Sequence, residues 1–225
     1  MIALNIVDDQ VPWKSAKEDA VSDWNATQRY DMESAPGGLG FVHDLLNTKS
    51  AGKPRRSDLF LDLGLAQGWV DAGLKQWAQA TGRRYVEVKL TERDLEHLRY
   101  FRDELAGTLN AEGDPAAVVS SDVDALPTVW TTATSLKLKS NGMVQAEPQG
   151  AGAGHIESLA MTEIFQAQLA GTWHRLKLCR SEKCRVAFFD RSRNNSGVWH
   201  DVKICGNPAN LRAHRARKHE SKLVN

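Results

Sequence analysis

Cys179 and Cys184 are spaced C-x4-C, and His200 and Cys205 repeat that gap as H-x4-C, with 15 residues between the two pairs. All three cysteines of the chain fall in this window. Zinc takes four sulfur and nitrogen ligands in a tetrahedron at about 2.0–2.3 Å, and two short turns that each carry a ligand pair satisfy it with little chain. Three thiolates and one imidazole, with no carboxylate competing for a fifth position, describe a closed structural site for one Zn²⁺. The competing reading is two buried free cysteines and an unrelated third. The fourth ligand also has alternatives, because His214 and His219 follow and Cys205-x8-His214 is a usable span. His200 is preferred for the mirrored spacing. Three cysteines are too few and too odd for a disulfide framework and suit a reducing compartment.

The same window is the most basic part of the chain. Residues 1–174 carry 16 Lys and Arg against 24 Asp and Glu, and residues 175–225 carry 13 against 4, so a net charge of +1 hides an acidic body of −8 and a basic tail of +9. Such a tail implies a polyanionic partner. Arg212 and Arg215 are three apart and share a face of any helix there, with Arg217 and Lys218 extending the positive surface. Arg191 and Arg193, beside Asn194 and Asn195, offer a second group between the ligand pairs. Arginine and asparagine serve both phosphates and base edges, so duplex DNA is the expected partner. A protein-interaction adaptor with purely structural zinc is the alternative. RNA binding is a further one, with Phe188, Phe189 and Trp199 as stacking rings, although adjacent phenylalanines in a small zinc module also serve as its core. There is no Gly-rich phosphate loop, no G-x-S-x-G and no H-E-x-x-H, so the chain is not expected to be an enzyme.

The run RLKLCRSEKCRVAFFDRSRNNSGVWHDVKICGNPANLRAHRAR resembles the CGNR-type zinc finger, through Cys179, Cys184, the stretch Phe189 to Asn194, Trp199 and Cys205-Gly206-Asn207. That finger closes bacterial proteins described as stress-induced transcription regulators, whose N-terminal region is called the ABATE domain. Phe41 to Thr48 (FVHDLLNT), then Pro54-Arg55 and Asp58-Leu59, resemble the opening of that domain. The resemblance implies a zinc-containing, DNA-binding transcription regulator. The acidic body is left to sense a signal, through a small-molecule ligand of unknown identity, or to pair into a homodimer. Two positions depart from the pattern. His200 stands where the family usually has Cys, which zinc accepts. Pro208 stands in place of the family's Arg. With Asn207 as a cap and Pro at the first helical position, the closing helix is expected to start at Pro208.

The elements that must carry these groups read as an α+β protein: a mostly helical N-terminal body with a β-hairpin, then the small finger ending in a helix. The expected division is an extension over 1–37, the body over 38–174 and the finger over 175–225. A helix from Lys14 to Tyr30 is one reading of the first stretch, and a packed or mobile extension is the other. Leu39 to Thr48 reads as a short buried helix and Asp62 to Ala80 as a broken amphipathic one with Leu65, Val70, Leu74 and Trp77 inward. Thr91 with Asp94 reads as a capping box opening a helix through Leu95, Leu98, Phe101, Leu105 and Leu109. Val129 to Glu147 alternates around Asn141-Gly142, which signals a hairpin with a two-residue turn. A helix from His155 to Leu178, with Ile156, Leu159, Ile164, Phe165, Leu169 and Trp173 inward, is expected to join body to finger. Mean hydropathy is −0.45, so a membrane partner is not expected. The N-terminus lacks a basic region and Asp8 and Asp9 break its apolar run, which points to a cytoplasmic protein.

Overall fold

A helix with apolar side chains around its whole circumference has to be covered on every side. Leu39–Leu46 (α2) comes close to this, with His43 and Asp44 as its only polar side chains, and all eight of its residues are buried at the centre of the fold. The computed structural model in which it sits describes residues 24–111 and 130–223. Trp13, Val129 and the proposed helix start at Lys14 lie outside the described residues. From Trp24 onward the first stretch packs on α2. Only Asn25–Gln28 (α1) is helical there, and Trp24 is 2% exposed, lying edge-on to Phe41.

Leu63–Thr81 (α3) starts where the Asp62 carboxylate accepts the Leu65 N–H at 2.9 Å and stops at Gly82, whose φ of 64° is left-handed. Val70, Leu74 and Trp77 face the core, but Leu65 is 46% exposed. The buried stripe runs through Ala66, Trp69, Val70, Gly73, Leu74 and Trp77, and Leu65 lies beside it. Glu92–Ala111 (α4) opens with a reciprocal cap. The Thr91 N–H donates to Asp94 Oδ2 at 2.8 Å, and the Asp94 N–H donates back to Thr91 Oγ1 at 3.3 Å. All five of its expected apolar positions are buried.

Thr134–Leu138 (β1) and Val144–Pro148 (β2) form the expected antiparallel hairpin, with Leu136 opposite Ala146 and Leu138 opposite Val144. Its turn differs from the expected one. Of the Asn-Gly pair only Gly142 takes a positive φ, 81°, and its N–H donates to the Lys139 carbonyl at 2.9 Å, so three residues close the loop. The alternation does not mark a buried face either, since Leu136 and Leu138 are 71% and 74% exposed. The hairpin is anchored at its open end, through Thr134 to Thr162 and Gln149 N–H to Ser158, and its apolar face runs on into solvent.

The helix supplying Ser158 and Thr162 is Gly152–Leu169 (α5). The expected continuous helix to Leu178 is cut at Leu169. Gly171 takes a φ of 64°, a single 3-10 turn follows at Trp173–Arg175, and Leu176–Leu178 (β3) is already a strand. Ile156, Leu159, Ile164 and Trp173 are buried as expected, whereas Phe165 and Leu169 lie 59% and 75% exposed. β3 pairs antiparallel with Ala187–Phe189 (β4), Leu176 opposite Phe189 and Leu178 opposite Ala187. Leu176 and Ala187 belong to the same buried cluster as Phe41, Leu98 and Leu159, so apolar packing is continuous from the body into the β3–β4 hairpin. The chain closes with Asn207–Leu223 (α6).

Candidate metal centre

The loop between β3 and β4 carries Cys179 and Cys184. It is pinned by Cys179 N–H to the Val186 carbonyl at 2.8 Å and Cys184 N–H to the Ser181 carbonyl at 2.7 Å. The second pair arrives on the segment that leads into α6, tied to the first by Arg180 N–H to the Val198 carbonyl at 2.9 Å. The three sulfurs and one imidazole nitrogen lie within 4.8 Å of one another. His200 Nδ1 is 3.4 Å from Cys184 Sγ and 3.7 Å from Cys205 Sγ. A tetrahedral zinc with bonds of the usual length spaces its ligand atoms by roughly 3.5–3.8 Å, so the set fits the ion. Ionisation chemistry makes the same demand. The hydrogen bond from Cys184 pulls the Cys179 thiol well below its usual range. The hydrogen bond with Cys179, and then burial, push Cys184 up, while burial and the Cys179 charge push Cys205 up. Three thiolates cannot be packed together in a buried centre without a cation. Cys179, Cys184 and Cys205 are buried, His200 is half-buried, and all four tetrahedral positions are filled by protein, so this is a single structural zinc site. His214 stands exposed on α6 and is not part of the cluster.

The start of α6 differs from expectation. Asp201, not Asn207, is the cap: its Oδ1 accepts the Ile204 N–H at 2.7 Å. A widened turn over Val202–Gly206 precedes α6 and carries Cys205. Pro208 has no N–H and its ring crowds the carbonyl four residues back, and the wider turn ahead of it relieves both problems. Gly206 sits in a crowded part of that turn. A Cβ there would lie 3.0 Å from the Trp199 ring, which packs on the zinc centre.

The metal centre also rests on the body, which spacing in the sequence did not indicate. Ala51, Tyr30 and Met32 pack on the cysteine cluster. The Gly52 N–H donates to the Cys184 carbonyl at 3.0 Å, and Lys53 Nζ donates to Ser181 Oγ at 2.8 Å. Behind the loop, α2 grips β4. The Asn47 amide accepts the Ala187 N–H at 3.0 Å and donates to the Ala187 carbonyl at 3.1 Å, as a neighbouring strand would. His43 Nδ1 accepts the Ala35 N–H at 3.1 Å, which leaves Nε2 to donate to the same Ala187 carbonyl at 3.0 Å. Burial holds this ring down at about 4 despite that bond. Asp44 beside it accepts from Thr27 N–H at 2.7 Å and Trp69 Nε1 at 2.8 Å, and burial pushes its carboxyl up. The signal in the sequence was the His-x3-Asn spacing within FVHDLLNT, which puts both side chains on one helix face.

The expected phosphate-binding residues separate into groups. Arg212 and Arg215 are exposed on one side of α6, and Arg217, also exposed, lies roughly 140° around the helix from Arg212. Lys218 is on α6, with its side chain outside the described residues. Arg193 and Asn194 are exposed on the loop after β4. That loop is built on Asp190, which accepts from Lys177 Nζ at 2.7 Å, Ser192 N–H at 2.9 Å and Gly197 N–H at 2.6 Å. Burial opposes ionisation of Asp190, and these bonds outweigh it, holding the carboxyl at about 2. Arg191 is exposed too, but its guanidinium is engaged: it pairs with Glu33 at 3.1 Å, donates to the Ser34 carbonyl at 2.6 Å and lies over the Phe189 ring. Asn195 is half-buried and its carbonyl accepts from Lys177 at 2.7 Å. Of the expected stacking rings Phe188 is buried, while Phe189 and Trp199 are half-buried against the body core and the cysteine cluster.

Residues 175–218 match the family model of the CGNR zinc finger. No curated protein matches the chain. Among the described residues no helix is long and apolar enough to cross a membrane.

Proposed function

We propose that this protein is a cytoplasmic, non-catalytic transcription regulator whose zinc finger binds duplex DNA. The observation that carries the reading is α6. It leaves the zinc centre at Cys205, packs mainly on the turn that precedes it, and presents Arg212 and Arg215 to solvent on one side. A cationic helix anchored at its base is the shape that lies against a phosphate backbone or enters a groove. Zinc holds the base, and Arg193 and Asn194, exposed on the loop after β4, offer a second polar group. Arg191 is assigned a structural part instead, because its guanidinium is already held by Glu33, Ser34 and Phe189. The body senses the signal or pairs two chains, and through α2 and the 51–53 loop it is mechanically continuous with the metal centre.

The test is duplex binding by the zinc-loaded chain across a range of salt. Each phosphate neutralised contributes a log–log slope of about −0.9, so five or six contacts give roughly −5. Replacing Arg212 and Arg215 together with Ala makes the slope shallower by about 2. A zinc-loaded chain that shows no salt-dependent binding to duplex DNA supports the adaptor reading in its place.

A further inference from the structure

The acidic body has one stretch of opposite character. Residues 49–56 (KSAGKPRR) contain four basic residues and no acidic one, a quarter of the 16 basic residues in the first 174. This stretch is the loop that touches the metal centre. Ala51 is buried against Cys179, Cys184 and Cys205, the Gly52 N–H binds the Cys184 carbonyl, and Lys53 reaches Ser181 between the two cysteines of the first pair. Cys205, in the same cluster as Ala51, lies two residues before α6 begins. Tyr30 packs on the same cluster as Ala51, and the Arg56 N–H donates to the Ala51 carbonyl at 2.8 Å, so the basic end of the loop folds back on the residue that touches the centre.

Not all of these cations are free. Lys49 pairs with Asp103 at 3.0 Å, and Arg29 donates to the Ser57 and Asn47 carbonyls. Arg55 and Arg56 are exposed, and among the described residues neither is in an ion pair. Arg55 makes one bond, to the Ser50 carbonyl at 2.9 Å, which steadies the loop and leaves its charge unneutralised. Balancing the metal centre does not explain them. Zinc with three thiolates and a neutral imidazole carries a net charge of about −1, and Lys53, bonded to Ser181 between the first two ligands, answers that. The first-pair loop adds exposed Arg180 and Lys183, against the single exposed Glu182.

We propose that the body loop carrying Arg55 and Arg56 is part of the nucleic-acid interface, forming with Lys183 and the base of α6 one cationic surface that grips the phosphodiester backbone of duplex DNA. This rests on the DNA reading of the finger and extends it: the finger supplies the helix, and the body supplies a second phosphate clamp fixed in place by the zinc. Docking through Ala51 and Gly52 keeps the two clamps at a constant separation, so the bound duplex spans both parts of the chain. Sequence discrimination is not expected from the loop, because lysine and arginine on phosphates position without reading bases.

The experiment measures binding of the full zinc-loaded chain to a mixed-sequence duplex across a salt series. Arg55→Ala with Arg56→Ala makes the slope shallower by about 2 and weakens binding by about 50-fold at 0.1 M salt, equally for unrelated duplexes. Arg56→Glu, which keeps the Arg55 bond to Ser50, weakens binding at least as much as loss of one contact, with zinc content and melting temperature unchanged. Arg84→Ala with Arg93→Ala removes two exposed cations outside this surface and leaves the slope as in the wild type. Wild-type slope and affinity in both loop variants overturn the proposal while leaving the finger's role intact. An equal loss in the Arg84 and Arg93 control also overturns it, since net charge alone then accounts for the effect. A wild-type chain that holds zinc and binds no duplex overturns the DNA reading on which it rests.

Discussion

The two hairpins of this protein are opposites. β1–β2 has regular alternation and an Asn-Gly turn, yet its apolar residues Leu136 and Leu138 stand largely in solvent. β3–β4 has three residues per strand and no hairpin signal of its own, yet Leu176 and Ala187 are about 1% exposed and the hairpin holds two zinc ligands. Local propensity set how readily each pair of strands turns back on itself. It did not set what each is worth to the fold. The short hairpin is secured from outside: zinc closes its loop, Asn47 supplies a strand-like pair of hydrogen bonds to Ala187, and His43 adds a third. Each of those supports can be removed separately.

The largest effect is expected from the metal. Structural zinc contributes on the order of 10 kcal/mol in isolated finger peptides, comparable to the whole stability of an ordinary domain. Cys205→Ser is expected to drop the metal content from one zinc per chain to well below one. Amide exchange is then expected to speed up at Gly52, Cys179 and Cys184, whose N–H bonds the centre organises, while α2 stays protected. Retention of a full zinc equivalent with unchanged exchange would remove Cys205 from the ligand set.

A smaller effect comes from His43. Its folded ring stays neutral down to about 4, whereas the unfolded ring takes up a proton below 6.5. The unfolded state therefore binds more protons between those values, and stability falls as pH drops through that window and levels off beneath it. The span corresponds to about 3 kcal/mol. The measurement is denaturant unfolding in steps of pH for the wild type and His43→Gln. Zinc release and other shared effects cancel in the difference, which is expected to grow from pH 6.5 to pH 4. Parallel curves would mean that His43 is not held neutral against Ala187.

The smallest effect belongs to the more recognisable hairpin. Leu136→Ser with Leu138→Ser changes exposed positions only, so the expected change in unfolding free energy is within about 0.5 kcal/mol per site. A loss of several kcal/mol would show that this face is covered in solution.

Much of this molecule was open to reading from the chain. The ligand set followed from paired spacing, because a metal demands four donors of particular types wherever the fold places them. The buried helix at Leu39–Leu46, the cap at Thr91 and Asp94, and the buried stripe of α4 followed from periodicity and capping chemistry, which are local. Positions whose role depends on distant neighbours were not legible. Gly171 gave little sign that α5 would end at Leu169, nine residues short of the expected Leu178, and Phe165 and Leu169 face solvent because no element among the described residues packs over that side. Asp201 displaced Asn207 as the cap because Cys205 has to be carried on a turn that reaches the other ligands, and Pro208 then favours a wider turn. Arg191 and Arg193 look alike in sequence, but only the first lies within reach of Glu33 and Ser34, residues more than 150 positions away. The types and spacing of side chains determined that zinc binds and which residues hold it. Tertiary structure alone decided that a basic loop of an acidic body would be docked on that zinc, because the contact joins residues 51–53 to residues 181–184 through a shared core.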